Sequence, residues 1–283
     1  MRIGRFIPGW ARRVAARFVE LATPGNETVG TRWVRAPNLA RDAEVCRFVS
    51  YAPGSEMPPH SLFHARAWAG AGFHVVIVLN TSDFQASPNL QELAFASGIL
   101  IRENKGYDFG AWASALGQIP AVRTASVVTL ANDSMYGPLD TFDRMVDRVR
   151  EMDADVIGAT ESLEFGRHFQ SFLLFFKPRA LNSGAFWKFW AGVRAGGRII
   201  AVYRYELSLL RAMERAGLRC TALFPSSDRR NPTLTRWRSL IDEGLPYLKI
   251  ALLRDNLFKV DLRGWETVLE DRGYDTTLTT RHC

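Results

Sequence analysis

The middle of the chain alternates short apolar runs with longer segments in which apolar residues recur every three to four positions. A nearly continuous apolar run such as residues 73–80 is typical of a parallel strand covered on both faces. The predicted strands are residues 44–51, 73–80, 98–102, 126–130, 155–160 and 218–224, with an aromatic strand within 168–177. The predicted helices are residues 59–71, 89–97, 140–152, 179–191 and a segment from 203 that Gly217 ends. This rhythm predicts an α/β fold, with a Rossmann-like, mostly parallel sheet flanked by helices.

Both ends of the chain depart from this pattern, so we divide it into residues 1–42, 43–225 and 226–283. The last segment is basic and is predicted to be a partly helical extension packed on the central domain. The first segment holds a predicted helix within residues 2–21, followed by a loop or linker at 22–42. The fold is therefore expected to carry helical N- and C-terminal extensions.

The N-terminal helix is predicted from apolar residues at helical spacing, among them Trp10, Val14, Phe18 and Leu21. Arginines occupy its other faces, which makes the segment basic and amphipathic. Such a helix either lies in a membrane interface or packs on its own domain with the arginines in water. The sequence leaves both alternatives open.

Composition narrows the choice of partners and compartment. The 36 Lys and Arg residues outnumber the 29 Asp and Glu residues, and the net charge of +7 favours phosphate-bearing partners over cationic ones. No nucleic-acid-binding motif accompanies that charge, so no nucleic-acid partner is predicted. Cys46, Cys220 and Cys283 are unclustered, which predicts a reducing cytosolic compartment without a disulfide framework or zinc site. No apolar run reaches the roughly 20 residues that span a bilayer.

Two polar turns that follow predicted strands carry the candidate chemistry. The turn from Asn104 to Gly110 opens a helix predicted to begin near Phe109 or Gly110, and Gly106 permits close backbone approach. Asp108 is expected to bond a ribose hydroxyl or to cap that helix. Taken alone, this segment is explained more simply as a capped turn without a ligand.

The second turn is Asn132-Asp133-Ser134, and Asp133 is placed where a carboxylate holds a divalent cation against diphosphate oxygens. A single acidic residue is a weak metal site. Further along, His168 and Gln170 lie in a polar turn, where His168 orients a sugar hydroxyl or transfers a proton. Glu206, near the start of a helix, is a candidate general base, although a first-turn glutamate favoured by the helix dipole is the plainer explanation.

Four motifs in this order resemble the rhamnan synthesis protein F family, between about residues 47 and 256. They are NKGYDFGAW at 104–112, NDSMYGP at 132–138, HFQSF at 168–172 and GLPYLK at 244–249. The resemblance implies a glycosyltransferase of bacterial polysaccharide synthesis. A looser similarity to inverting glycosyltransferases of the GT-A fold implies a GT-A-like architecture, with Glu206 as catalytic base. Those enzymes usually have Asp-x-Asp where this chain has 132–134, so dependence on Mg²⁺ or Mn²⁺ and metal-independent action both stay open.

By this resemblance the donor is dTDP-L-rhamnose and the acceptor a growing glycan on a polyprenyl diphosphate lipid. The enzyme would then lie in the cytoplasm, peripherally on the inner face of the membrane through residues 2–21. The alternatives are another nucleotide sugar on the same fold and a non-catalytic nucleotide-sugar-binding or scaffold subunit. The candidate catalytic residues are Glu206 and His168. The candidate substrate-binding residues are Asn104, Gly106, Tyr107, Asp108, Asn132, Asp133, Ser134 and Gln170.

Overall fold

The computed structural model describes residues 28–197, 200–226 and 228–279. The predicted amphipathic helix at 2–21 lies outside these residues, so its membrane role stays a prediction. No helix in the described ranges is both long and apolar enough to cross a membrane.

A nine-stranded sheet forms the centre of the molecule. In spatial order its strands are β1 (Thr31–Arg35), β4 (Gly98–Glu103), β3 (His74–Thr81), β2 (Glu44–Tyr51), β5 (Val127–Asn132), β9 (Leu173–Phe176), β7 (Val156–Ser162) and β10 (Cys220–Phe224), and β8 (His168–Phe169) pairs with β7. β4, β3, β2 and β5 run parallel to one another, as do β7 and β10. β1 and β9 are antiparallel to their neighbours. The predicted α/β class, with a mostly parallel sheet between helices, is confirmed.

The helices cover both faces of this sheet. They are α1 (Pro59–Gly70), α2 (Tyr107–Gln118), α3 (Phe142–Glu151), α4 (Pro178–Leu181), α5 (Gly184–Ala191), α6 (Leu207–Arg215), α7 (Pro232–Thr235), α8 (Trp237–Asp242), α9 (Ile250–Asp255) and α10 (Trp265–Glu270). Short 3₁₀ turns occupy Pro120–Thr124 and Thr276–Thr279, and a π-helical segment spans Ala201–Glu206.

Alternation along the central strands creates two apolar cores, one on each face. On β2, Phe48 points to one core and Val49 to the other, as a side-chain period of two requires. The first core includes Trp68 of α1 and Phe142 of α3, and the second includes Trp112 of α2 together with residues of α5 and α6. The sheet is thus buried on both sides, and its strand ends remain as the place for a ligand.

The C-terminal extension is fastened to the domain by a second, two-stranded sheet. β6 (Met135–Tyr136), directly after the Asn132–Ser134 turn, pairs antiparallel with β11 (Leu248–Lys249). A third apolar cluster packs the extension against the domain, and it includes Tyr136 of β6, Trp237 of α8 and Leu248 of β11. The late GLPYLK motif is therefore brought beside the turn after β5.

Three details of the predicted secondary structure are wrong. Residues 31–35, placed in a loop or linker, form the edge strand β1, because Thr31, Trp33 and their neighbours pair with β4. Residues 89–97 form turns instead of a helix, since the Asn89 side chain accepts hydrogen bonds from the amides of Gln91 and Glu92. The single helix predicted at 179–191 is broken into α4 and α5 at Ser183, whose hydroxyl caps α5.

Candidate active site

A cavity of about 670 Å³ opens where parallel strands of the sheet end. Tyr51 at the end of β2, Asn132 at the end of β5 and Ser162 at the end of β7 all line it. Ligands bind at this edge in open α/β sheets, because loops and helix starts leave polar groups unpaired there. Eight predicted site residues line the cavity together: Tyr107, Asp108, Asn132, Asp133, Ser134, His168, Gln170 and Glu206.

Asn132 joins the two predicted turns. Its amide Nδ2 donates to Oδ2 of Asp108 over 2.7 Å. Its Oδ1 accepts hydrogen bonds from both the backbone amide and the hydroxyl of Ser134, at 3.1 and 2.7 Å. The amide of this buried side chain thus uses a donor and an acceptor to hold both turns in one geometry.

Asp108 does not cap α2, which was one of its two predicted roles, and the other role, a bond to a ribose hydroxyl, stays a prediction. The helix begins at Tyr107 with Gly106 as its N-cap, and no side chain caps it. Asp108 lies in the first turn, and its carboxylate is turned toward Asn132 in the cavity wall. The expectation of a capping Asp108 and of a helix start near Phe109 is wrong.

Asp133 is held from the opposite side by β2. Its Oδ2 accepts hydrogen bonds from the hydroxyl of Ser50, at 3.0 Å, and from the backbone amide of Tyr51, at 2.7 Å. Those donors are fixed by the strand, so the carboxylate has a defined position at the cavity floor.

The two aspartates influence one another electrostatically. Burial, and then the neighbouring negative charge of Asp133, raise the pKa of Asp108 to about 7, against the hydrogen bond from Asn132. Burial also raises the pKa of Asp133, while the bonds from Tyr51 and Ser50 oppose that shift. Asp133 therefore does have an acidic neighbour, which sequence spacing did not predict because 24 residues separate Asp108 from Asn132. Paired carboxyls of this kind are typical of functional sites.

Glu206 is the last residue of the π-helical segment Ala201–Glu206, immediately before α6. Segments of π-helix are rare and frequently mark functional sites. The hydroxyl of Ser171 donates to Oε2 of Glu206 over 3.1 Å. Within the described residues no other side chain donates to this carboxylate, and Glu206 lines the cavity.

His168 and Gln170 lie on the short β8 and the loop that follows it. Nδ1 of His168 is 2.9 Å from the carbonyl oxygen of Gly166. Since a carbonyl only accepts, Nδ1 carries the hydrogen, and Nε2 of the neutral ring is an acceptor. Oε1 of Gln170 accepts a hydrogen bond from the hydroxyl of Thr233 in α7 over 3.2 Å.

Asn104 and Gly106 do not line the cavity. Asn104 is exposed in the turn before α2. Gly106 is buried with φ of +78°, and a Cβ there would lie 2.9 Å from the Cα of Ala195. Its glycine is therefore explained by a left-handed backbone and close packing, without a ligand.

Lys249 also lines the cavity, although it was not among the candidate site residues and appeared in the sequence as the last residue of the GLPYLK motif. β11 places its Nζ 3.2 Å from the hydroxyl of Ser134 and 5.3 Å from the ring centre of Phe172. The GLPYLK motif was the available signal, but its pairing with β6 spans more than one hundred residues. A hydrogen-bonded path thus runs from Lys249 through Ser134 and Asn132 to Asp108.

The chain matches one known protein family and several individual proteins. Residues 70–283 match the model of the family described as rhamnan synthesis protein F. The virulence protein VirA of Vibrio anguillarum is 25% identical over 222 residues, which cover 65% of this chain and 70% of VirA. An uncharacterized protein of Sinorhizobium fredii, y4gN, is 27% identical over 152 residues, or 50% of this chain and 37% of that protein.

Among solved structures, the mannosyltransferase Ktr4p from S. cerevisiae aligns over 72% of this chain and 73% of its own. The TM-score of 0.28 and the identity of 8% carry no argument about fold or chemistry. The family match rests on three quarters of the chain and includes all four motifs. This chain therefore belongs to the rhamnan synthesis protein F family.

Proposed function

We propose that the protein transfers a sugar from a nucleotide-sugar donor to a glycan acceptor by a single inverting displacement, with Glu206 as base. The observation that carries this proposal is the convergence of Asp108, Asp133, Glu206 and Lys249 on one cavity at the carboxyl edge of the sheet. Pockets of roughly 300 to 1,000 Å³ hold ligands of drug size, and a nucleotide sugar falls in that class.

The acceptor half of the reaction requires a base. Glu206 takes the proton from an acceptor hydroxyl as its oxygen attacks the anomeric carbon. Ser171 holds Oε2 of this carboxylate. The bond between the anomeric carbon and the diphosphate breaks on the opposite side, which inverts the configuration. His168 lines the same cavity and orients a sugar hydroxyl through Nε2.

The donor half requires positive charge where the diphosphate leaves. Lys249 supplies an ammonium group at the cavity wall, and Ser134 and Asn132 fix its position through hydrogen bonds. A fixed cation stabilises charge that develops in the transition state without reorganising. Asp108, Asn132, Ser134 and Gln170 complete the contacts to the donor, and Tyr107 contacts the acceptor sugar.

A divalent cation that is bound jointly by the protein and the substrate also fits this wall. The described residues contain no group of three His, Cys, Asp or Glu side chains that would hold a metal by themselves. Asp133 and Asp108 provide two carboxyl groups, and Mg²⁺ characteristically binds one or two carboxylates together with substrate phosphates and water. Bound there, Mg²⁺ or Mn²⁺ would neutralise charge on the leaving diphosphate.

The family description points to a rhamnose-containing product, which favours dTDP-L-rhamnose as the donor. A lipid-linked glycan is the matching acceptor. Because this acceptor is anchored in the membrane, the basic residues 2–21 would bind the inner face of the cytoplasmic membrane and bring the enzyme to it.

The test is a panel of nucleotide sugars, each with and without Mg²⁺ or Mn²⁺, scored by thermal stabilisation and by release of the nucleoside diphosphate. We expect the largest shift and turnover with dTDP-L-rhamnose. A ligand that binds only the folded state raises the melting temperature, so the panel reports donor and metal together. Stabilisation without any release or transfer would support a non-catalytic binding subunit instead. Absence of any shift would reject the proposal.

A further inference from the structure

Two aromatic residues in the described ranges have backbones in the left-handed region, which bulky side chains rarely adopt. Tyr107 has φ of +53° and Phe165 has φ of +65°. The other non-glycine residues with positive φ are Asp42, Ser55, Asn256 and Lys259. Asn and Asp tolerate this conformation through local hydrogen bonds, whereas aromatic residues do not. A strained backbone at an aromatic residue calls for a specific reason.

Burial in the core does not provide that reason. Tyr107 and Phe165 are exposed to 48% and 46%, so each ring supplies only part of the burial that a core aromatic would supply against the strain. Both residues line the cavity. Strained residues cluster at ligand-binding sites, where the conformation serves to aim a side chain.

Both residues lie on segments that pack against the π-helical segment carrying Glu206. The ring of Phe165 lies 5.7 Å from that of Tyr203, three residues before Glu206. Tyr107 opens α2, and this helix contacts the same segment through Phe109, whose ring lies 5.8 Å from the ring of Tyr205. The two strained aromatics thus line the cavity that also contains the proposed base.

A third exposed aromatic of the cavity belongs to a different element. Tyr51 ends β2, is 44% exposed and binds Asp133 through its backbone amide. Because the diphosphate is expected beside Asp133, Tyr51 is the ring placed for a flat nucleobase. Tyr107 and Phe165 lie on segments that pack against the segment of Glu206, which suits the acceptor.

We propose that Tyr107 and Phe165 form the subsite for the acceptor sugar and hold a pyranose ring by its C–H face, with one hydroxyl turned toward Glu206. The inference rests on the proposed transfer reaction and adds the acceptor class to it. Aromatic faces suit pyranoses because the axial C–H bonds of the sugar are weakly positive and the face of the ring is negative.

The left-handed backbone allows an informative substitution. Tyr107→Asn and Phe165→Asn each remove a ring and install a residue that accepts positive φ. Both variants are expected to keep or raise the melting temperature of the wild type. With octyl α-L-rhamnopyranoside as acceptor, we expect KM for the acceptor to rise at least tenfold in each. The donor Kd and the acceptor-independent release of nucleoside diphosphate should stay within twofold.

Matched variants distinguish the effect of losing the aromatic ring from the effect of any substitution at the same position. Tyr107→Phe and Phe165→Tyr keep an aromatic face and are expected to keep the acceptor KM. Leu90→Asn, at a 47% exposed apolar residue that does not line the cavity, should leave both constants unchanged. Unaltered acceptor KM in both Asn variants overturns the subsite, and so does a weakened donor Kd, which would assign the rings to the nucleobase. Release of the nucleoside diphosphate by the wild type is measured separately, so failure of the proposed transfer reaction is distinguished from failure of the acceptor subsite.

Discussion

The amide of Asn132 lies 2.7 Å from the carboxylate of Asp108 and joins the end of β5 to the first turn of α2. This bond holds together two turns that are 24 residues apart in sequence. It also places the Asp108 carboxyl beside Asp133, and the resulting repulsion contributes to its raised pKa. One polar contact thus sets both the shape and the charge of the cavity wall.

That contact predicts how stability depends on pH. The pKa of Asp108 is raised to about 7 in the folded protein, whereas an unfolded Asp titrates near pH 4. Between these values the folded state holds a proton that the unfolded state lacks, so the free energy of unfolding falls as pH rises from about 4 to about 7. Asp108→Asn keeps an acceptor for Asn132 and removes the titration. It should flatten this slope and raise the free energy of unfolding at pH 8 by roughly 1 to 3 kcal/mol.

Urea unfolding followed by circular dichroism between pH 4 and pH 8 measures the effect. Asp147→Asn, at a side chain that is 63% exposed on α3, is the control and should leave the pH slope unchanged. Parallel curves for wild type and Asp108→Asn would show that Asp108 does not titrate in this range.

Lys249→Ala tests the cation of the donor site. Loss of one charge-assisted contact to a phosphate typically costs about 1.5 to 3 kcal/mol, so affinity for a nucleoside diphosphate should fall roughly ten- to hundredfold. Affinity for the corresponding nucleoside, which lacks phosphate, should stay the same. Isothermal titration calorimetry at fixed ionic strength measures both ligands.

Lys188→Ala on α5 is the matched control, since Lys188 is exposed and does not line the cavity. It should leave both affinities unchanged. Equal diphosphate affinity for Lys249→Ala and wild type would remove Lys249 from the donor site.

Two glycines are predicted to respond in opposite ways to substitution by alanine, because Gly137, directly after β6, packs against the residues before β11 and Gly117 does not. Gly137 has φ of +135°, and a Cβ there would lie 2.8 Å from Cδ1 of Tyr247. Gly137→Ala should therefore cost about 1 to 3 kcal/mol of stability and weaken diphosphate binding, because it displaces the segment that carries Lys249. Gly117, near the end of α2, has open space around it, and Gly117→Ala should stabilise the protein by about 0.5 to 1 kcal/mol. Melting temperatures that move in the same direction for both variants would contradict this.

Local patterns were enough to predict most of the sheet. The strand at 44–51 agrees in both bounds with β2, and the runs at 73–80 and 98–102 agree with β3 and β4 to within one residue. These strands are buried on both faces, and continuous burial leaves a continuous apolar run in the sequence. The edge strand β1 was missed because Thr31–Arg35 is half-buried and contains two arginines, Arg32 and Arg35.

Asp108, Asp133 and Glu206 were named as candidates from the sequence, and the structure brings all three to the same cavity. Asn104, in the turn directly after β4, does not line it, so a polar turn after a strand was not a sufficient signal. Lys249 and Phe165 depend on relationships that no local pattern contains. Lys249 reaches the cavity through pairing of two two-residue strands, and Phe165 is aimed by a backbone conformation that its residue type disfavours.

The central claim is tested most directly by the rate of sugar transfer in Glu206→Gln, measured beside its donor affinity. Glu214→Gln, on the same stretch of helix but outside the cavity, is the control. We predict that Glu206→Gln lowers kcat by about a hundredfold or more, with donor Kd unchanged within twofold, while Glu214→Gln transfers at the wild-type rate. Transfer at the full wild-type rate by Glu206→Gln would contradict the assignment of Glu206 as the base.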